Sequence, residues 1–144
     1  MLVRDVLNAK GNRVISIDGE ATVHEAIARL VQNNIGSLPV VDHEGRLVGI
    51  FAERDVLRVI HNRGEGFARL RISELMTPDP VTCNVLDDVN EVMGQMSDRR
   101  IAKVPVVQDG KLVGIVSVGD VIKVMYEKVA TENLHLLSYI HGAV

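Results

Sequence analysis

Ser117 and Asp120 stand three positions apart in the segment Gly114–Asp120 (GIVSVGD), where an apolar run gives way to a helix-forming one. At that spacing the serine hydroxyl can cap the helix and face outward beside the first backbone N–H groups, an arrangement that favours an anion such as phosphate. Asp120, in the first turn, can accept two hydrogen bonds from a ribose diol. The same two residues can equally be a helix cap and a first-turn acid, and spacing alone does not separate the readings. A second segment, Gly49–Asp55 (GIFAERD), carries Asp55 at the matching place with Arg54 beside it. Arg54 can hold a phosphate through two parallel bonds or sit solvated. Ala52 occupies the position where Ser117 carries its hydroxyl, so the two segments should differ in what they hold.

Other chemistry is hard to assemble. His24, His43, His61, His135 and His141 fall in no His-x3-His or HExxH pattern, and a single cysteine cannot build a cysteine-rich zinc site. His24 and His43 read as solvated surface residues. Cys83, in a strand with no base duplicated beside it, reads as a small buried hydrophobe. No GxxxxGK[ST] loop and no GxGxxG turn opens a helix. Without a paired nucleophile and general base, the chain reads as non-catalytic.

The elements that must position Ser117 and Asp120 come from an internal repeat. Ile35–Ile60 lies over Ile101–Met125, with Val23 matching Val89 and Pro39 matching Pro105 at one common interval. Gly45 and Gly110 are one residue closer because the second copy has a shorter turn, where folds tolerate a deletion. Upstream, Arg4–Leu7 corresponds to Ser73–Met76 and Val14–Ser16 to Val81–Cys83. Each copy opens with a helical turn (Val3–Leu7; Ile72–Met76) and a short extended segment (Arg13–Ile17; Val81–Cys83). In the helix that follows, Val23, Ala26, Ile27, Leu30 and Val31 recur at helical spacing and define an apolar face. Thr22 and Asp88 precede these helices as N-caps, with Glu25 and Glu91 three residues on, as in a capping box. The strands Ser37–Val41 and Lys103–Val107 turn at His43-Glu44-Gly45 and Asp109-Gly110 into Leu47–Phe51 and Leu112–Val116. Helices Arg54–His61 and Gly119–Lys128 close the copies. The fold class is therefore α/β, two tandem β-α-β-β-α repeats packed with pseudo-twofold symmetry, sheet against sheet. A unit of about 60 residues is marginal alone, so the copies should pack together and leave a cleft, a usual place for a small ligand. The expected organisation is 1–65 for the first repeat, 66–128 for the second, and 129–144 for a helical tail. Asn62–Leu70 serves as a linker. In the tail, Leu134, Leu137 and Ile140 can face a partner or pack back on the chain.

Composition agrees. Apolar residues are 47% of 144 but aromatics only 3%, with no tryptophan, so the core must be aliphatic. No apolar run approaches the ~20 residues of a membrane span, and the first residues lack the order of a signal peptide. A net charge of −3 with scattered basic residues argues against nucleic acid. One cysteine suits a reducing compartment. The reading is a soluble, cytoplasmic chain with no nucleic-acid or membrane partner.

LPVVDHEGRLVGIFAERD (Leu38–Asp55) and VPVVQDGKLVGIVSVGD (Val104–Asp120), each behind an amphipathic helix, resemble the cystathionine-β-synthase (CBS) domain pair over nearly the whole chain. More narrowly the chain is similar to free-standing bacterial two-CBS proteins without an attached enzyme or transporter. The resemblance implies a disc-like homodimer through CBS–CBS packing, no required cofactor, and clefts for adenosyl ligands such as AMP, ADP, ATP or NAD(H). It implies one site of Ile115, Ser117 and Asp120 with Val14, Ile15, Ile35, Gly36 and Ser37. There Asp120 would hold the ribose, and backbone near Ile15 and Ile35 would meet the adenine. A second site would use Ile50, Arg54 and Asp55 with Val81, Ile101, Ala102 and Lys103. The chain departs from the pattern there, since Ala52 replaces a hydroxyl and Ala102-Lys103 stands where relatives often have Arg-His. The implied function is regulatory, reporting energy or redox state to an unidentified regulated protein. The alternative is a structural dimerisation module whose clefts are filled by side chains.

Overall fold

The computed structural model describes residues 1–11 and 13–140, so His141 lies outside the described residues. Each copy follows the order read from the sequence. The first comprises β1 (Ile17–Asp18), α2 (Val23–Asn33), β2 (Ser37–Val41), β3 (Leu47–Ala52) and α3 (Glu53–Arg63). The second comprises β5 (Cys83–Asn84), α4 (Val89–Arg99), β6 (Lys103–Gln108), β7 (Lys111–Ser117) and α5 (Val118–Ile140). A helix, α1 (Val3–Lys10), precedes them, and a two-residue strand, β4 (Thr77–Pro78), lies between them. The sheets run β1-β2-β3-β4 and β5-β6-β7. Among the described residues no helix is long and apolar enough to cross a membrane.

Local rules account for most of these elements. Thr22 caps α2 by accepting the Glu25 N–H at 3.2 Å, and Asp88 caps α4 by accepting the Asn90 N–H at 2.7 Å. On α2, Val23, Ala26 and Leu30 are buried, but Val31 is 74% exposed. It sits at the flank of the apolar stripe, outside the arc that meets the sheet. Asp109 and Gly110 both take positive φ (53° and 79°), as a two-residue hairpin turn demands. In the longer first turn, the Asp42 carboxylate accepts the N–H groups of Glu44 and Arg46, each at 2.9 Å. The Arg46 bond, chiefly, holds its carboxyl below the usual range.

The chain falls into two compact units, which do not follow the sequence halves. The first-copy unit holds residues 13–82 and the hairpin tip 105–114; the second-copy unit holds the N-terminal segment, 83–104, and the chain from 115 onward. Each copy's opening turn thus joins the other copy's elements, through the same three bonds. In the first-copy unit, Val23 N–H reaches Leu70 O, Ile72 N–H reaches Ala21 O, and Ser73 N–H reaches Gly19 O, all at 2.9 Å. In the second-copy unit, Val89 N–H reaches Met1 O at 3.0 Å, while Val3 and Arg4 N–H reach Asp87 O and Val85 O, both at 2.9 Å. The linker segment Asn62–Leu70 lies within the first-copy unit. It contains a 3₁₀ turn at Phe67–Arg69, and Phe67 and Leu70 pack on the core. The first-copy core gathers Ile17, Val23, Leu38, Val40, Phe51 and Ile72 from five elements. Each such side chain contributes roughly 1.5–3 kcal/mol on burial.

β4, not anticipated from sequence, pairs antiparallel with β3 and sets Pro78 opposite Gly49. A Cβ on Gly49 would lie 2.5 Å from Met76 Sδ and 2.9 Å from the Thr77 carbonyl oxygen. Methionine can move; a ladder carbonyl cannot retreat without breaking the pair. Gly49→Ala should cost about 1–3 kcal/mol, measurable as a drop of several degrees in the melting temperature. An unchanged melting temperature would show that β4 yields freely.

Candidate functional site

Asp120 occupies the first turn of α5, and its local bonds make a reciprocal cap. The Ser117 N–H donates to Asp120 Oδ2 at 3.0 Å, and the Asp120 N–H donates to Ser117 Oγ at 3.0 Å. The capping reading therefore holds. It does not use up the groups. Ser117 Oγ accepts one bond and keeps a proton to donate. Asp120 Oδ1 takes part in none of the hydrogen bonds among the described residues, and the side chain is 24% exposed.

A residue that sequence reasoning missed completes this cluster. Lys10, at the end of α1, donates from Nζ to Asp120 Oδ2 at 2.6 Å and to the Ile115 carbonyl at 2.9 Å. No local pattern could reveal a partner over a hundred residues away. Partial burial pushes the Asp120 carboxyl up, but the bonds from Lys10 and from Ser117, and the Lys10 charge, outweigh it and leave the group below its ordinary range. Asp120 is therefore an anion throughout the neutral range. The open helix end expected from sequence needs one correction. The Val118 N–H already donates to the Ala102 carbonyl at 3.0 Å, and the Asp120 N–H to Ser117. Two of the first donors of α5 are thereby committed inside the protein, and the accessible positive charge in this cluster is the Lys10 ammonium.

The matching cluster of the first copy is closed. Asp55 Oδ2 accepts the Ala52 N–H at 2.8 Å; Oδ1 accepts from Thr77 Oγ1 at 3.2 Å and from Arg58 at 3.3 Å. Its side chain is only 7% exposed. Both oxygens are occupied, where Asp120 keeps one. Arg54 is exposed, and the Glu53 N–H donates to the Gly36 carbonyl at 3.0 Å. Ala52 pairs with Ser37 across β2 and β3.

The remaining candidate residues sort by unit. In the first-copy unit, Val14 and Ile15 lead half-buried into β1; Ile35 and Gly36 are half-buried ahead of Ser37, where β2 begins. Ile50 lies on β3, and Val81 is half-buried before β5. That unit brings Gly36 and Ser37 against the start of α3. In the second-copy unit, Ile115 lies on β7 and offers its carbonyl to Lys10. Ile101 and Ala102 precede β6, which Lys103 opens as an exposed residue. That unit brings Ala102 against the start of α5. Cys83 is buried, and burial with the nearby Asp87 charge pushes its thiol up to about 12. It is an inert core residue at neutral pH.

Comparison with known proteins adds to this geometry. The model of one family, described as "CBS domain", matches residues 3–62 and again 72–127. A relative, the CBS domain-containing protein CBSX3, mitochondrial, of Arabidopsis thaliana, is 32% identical over 97% of this chain and 72% of its own length. The crystal structure of the CBS-domain containing protein ATU1752 from Agrobacterium tumefaciens is similar with a TM-score of 0.76 and 33% identity, over 87% of this chain and 99% of that one. The CBS domain pair of protein MJ0100, solved in complex with 5′-methylthioadenosine and S-adenosyl-L-methionine, is similar with a TM-score of 0.73 and 32% identity, over 89% and 98%.

Proposed function

The chain belongs to the CBS domain family, and from that premise we propose that it is a non-catalytic regulatory module binding an adenosine-containing ligand. The observation that carries the reading is the Asp120 carboxylate, ionised, partly exposed and keeping Oδ1 for a ribose diol, beside a Ser117 hydroxyl with a proton to give. Support comes from the MJ0100 pair, whose complex holds two adenosyl compounds. In this reading Ser117 and Asp120, with Ile115, form the sugar side of the site, and Val14, Ile15, Ile35, Gly36 and Ser37 are the candidates for the adenine. The ligand is an adenosine nucleotide (AMP, ADP or ATP) or NAD(H), the compartment is the cytoplasm, and the chain reports energy or redox state to a regulated protein. The second set, around Arg54, Asp55 and Lys103, stays empty, because Asp55 is spent on Ala52, Arg58 and Thr77.

A screen by thermal shift tests this. A ligand that binds only the folded state stabilises it by about 2.7 kcal/mol at a hundredfold excess over Kd, so AMP, ATP or NAD at millimolar concentration should raise the melting temperature by several degrees. No shift with any of them, nor with S-adenosylmethionine, would overturn the proposal.

One observation favours a second reading, a structural dimerisation module. α5 runs unbroken to Ile140, well past the expected end of the repeat helix at Lys128. Ile122, Tyr126, Val129, Leu136 and Ile140 are all exposed and follow alternating spacings of three and four once Asn133 is included. That is a heptad seam with one polar position, a pattern suited to pairing with the same helix of a second copy. On this reading the nucleotide screen gives no shift while sedimentation reports a dimer. Dimerisation together with a nucleotide shift supports the regulatory module as a homodimer.

A further inference from the structure

We propose that Lys10 makes the Asp120 site selective by charge, favouring adenosine 5′-phosphates over adenosyl ligands carrying a positive or neutral 5′ group. The inference rests on the reading that Asp120 holds the ribose. Lys10 Nζ sits 2.6 Å from Asp120 Oδ2, on the oxygen that also takes the Ser117 N–H. A diol can therefore bond Oδ1 without evicting the lysine, which stays as a fixed cation at the sugar. An ammonium has three donors. Two are spent on Asp120 Oδ2 and the Ile115 carbonyl, and the third is available to a phosphate oxygen. Of the early N–H groups of α5, those of Val118 and Asp120 are committed within the protein, which leaves Lys10 as the charged donor of the cluster. The charges facing the cluster reinforce the choice. With Asp120 paired to Lys10, a sulfonium ligand meets a neutralised carboxylate and a nearby ammonium, and like charges at this range repel. Lys10 thus acts as a specificity-determining residue, separate from the ribose-holding carboxylate. Neither the repeat alignment nor the serine-to-aspartate spacing contains it.

The test is calorimetry with AMP, 5′-methylthioadenosine and S-adenosylmethionine on the full chain, for the parent, Lys10→Met and Lys10→Arg. The parent should prefer AMP. Lys10→Met should weaken AMP about tenfold, leave 5′-methylthioadenosine within about twofold, and leave S-adenosylmethionine unchanged or tighter. Lys10→Arg, which keeps the charge, should keep the preference. AMP binding by Lys10→Met at parental affinity overturns the charge role while leaving the ribose site standing. Equal loss of all three ligands overturns it too, by showing that Lys10 only supports the fold. If the parent binds none of the three, the ribose reading falls, and the selectivity with it.

Discussion

Asp120→Ala should weaken AMP binding tenfold to a hundredfold while leaving the protein folded. The substitution removes a charged acceptor whose bonds to a ribose diol are worth about 1.5–3 kcal/mol. It also removes the Lys10 pair and one cap bond, both at a partly exposed place where such losses cost about 1 kcal/mol or less. Calorimetry gives the affinity and thermal unfolding checks the fold. Asp55→Ala supplies the contrast. It strands the Ala52 N–H and the Thr77 hydroxyl beside a nearly buried position, so stability should fall while AMP affinity holds. Unchanged AMP affinity in Asp120→Ala would remove the ribose assignment; a large loss in Asp55→Ala alone would move it to the other copy.

The second large effect is on stability. Phe51→Ala should destabilise the protein by about 3–5 kcal/mol, because a fully buried aromatic leaves a cavity that its neighbours fill only in part. That is a large share of the 5–15 kcal/mol typical of a domain. Phe51 is one of only two phenylalanines, and the matching residue of the second copy is Val116, also fully buried. Val116→Ala removes fewer carbons and should cost less. Urea denaturation measures both, and a Phe51→Ala loss below about 1 kcal/mol would mean that the first-copy core closes over the gap.

What could be read from the sequence was what neighbours along the chain decide. The caps Thr22 and Asp88, the Asp109-Gly110 turn and the strand Ser37–Val41 each depend on a few adjacent residues, and each formed as expected. The repeat helix Gly119–Lys128 and the helical tail after it are one continuous helix, α5, because the chain holds no glycine or proline between Lys128 and Ile140 to break it. Val31 matched the helical period yet faces water, since periodicity sets a direction and not the width of the face that is covered. The candidate site divided in the same way. The Ser117–Asp120 cap was visible as spacing. Lys10 on one aspartate, and Thr77 on the other, were not, because both contacts depend on how distant segments meet.

The exchanged openings of the two copies have a consequence for any attempt to divide the molecule. A fragment cut after Arg63 would keep Met1–Arg4 but lack the segment whose Ile72 and Ser73 amides bind Ala21 and Gly19. The complementary fragment would carry that segment and miss the one that binds Val85 and Asp87. Each piece holds what the other needs, so two separate polypeptides should be poorly stable apart and should reconstitute one another when mixed. A half-length chain could satisfy the same amides only by finding a second molecule, and the tandem arrangement turns that encounter into an intramolecular closure.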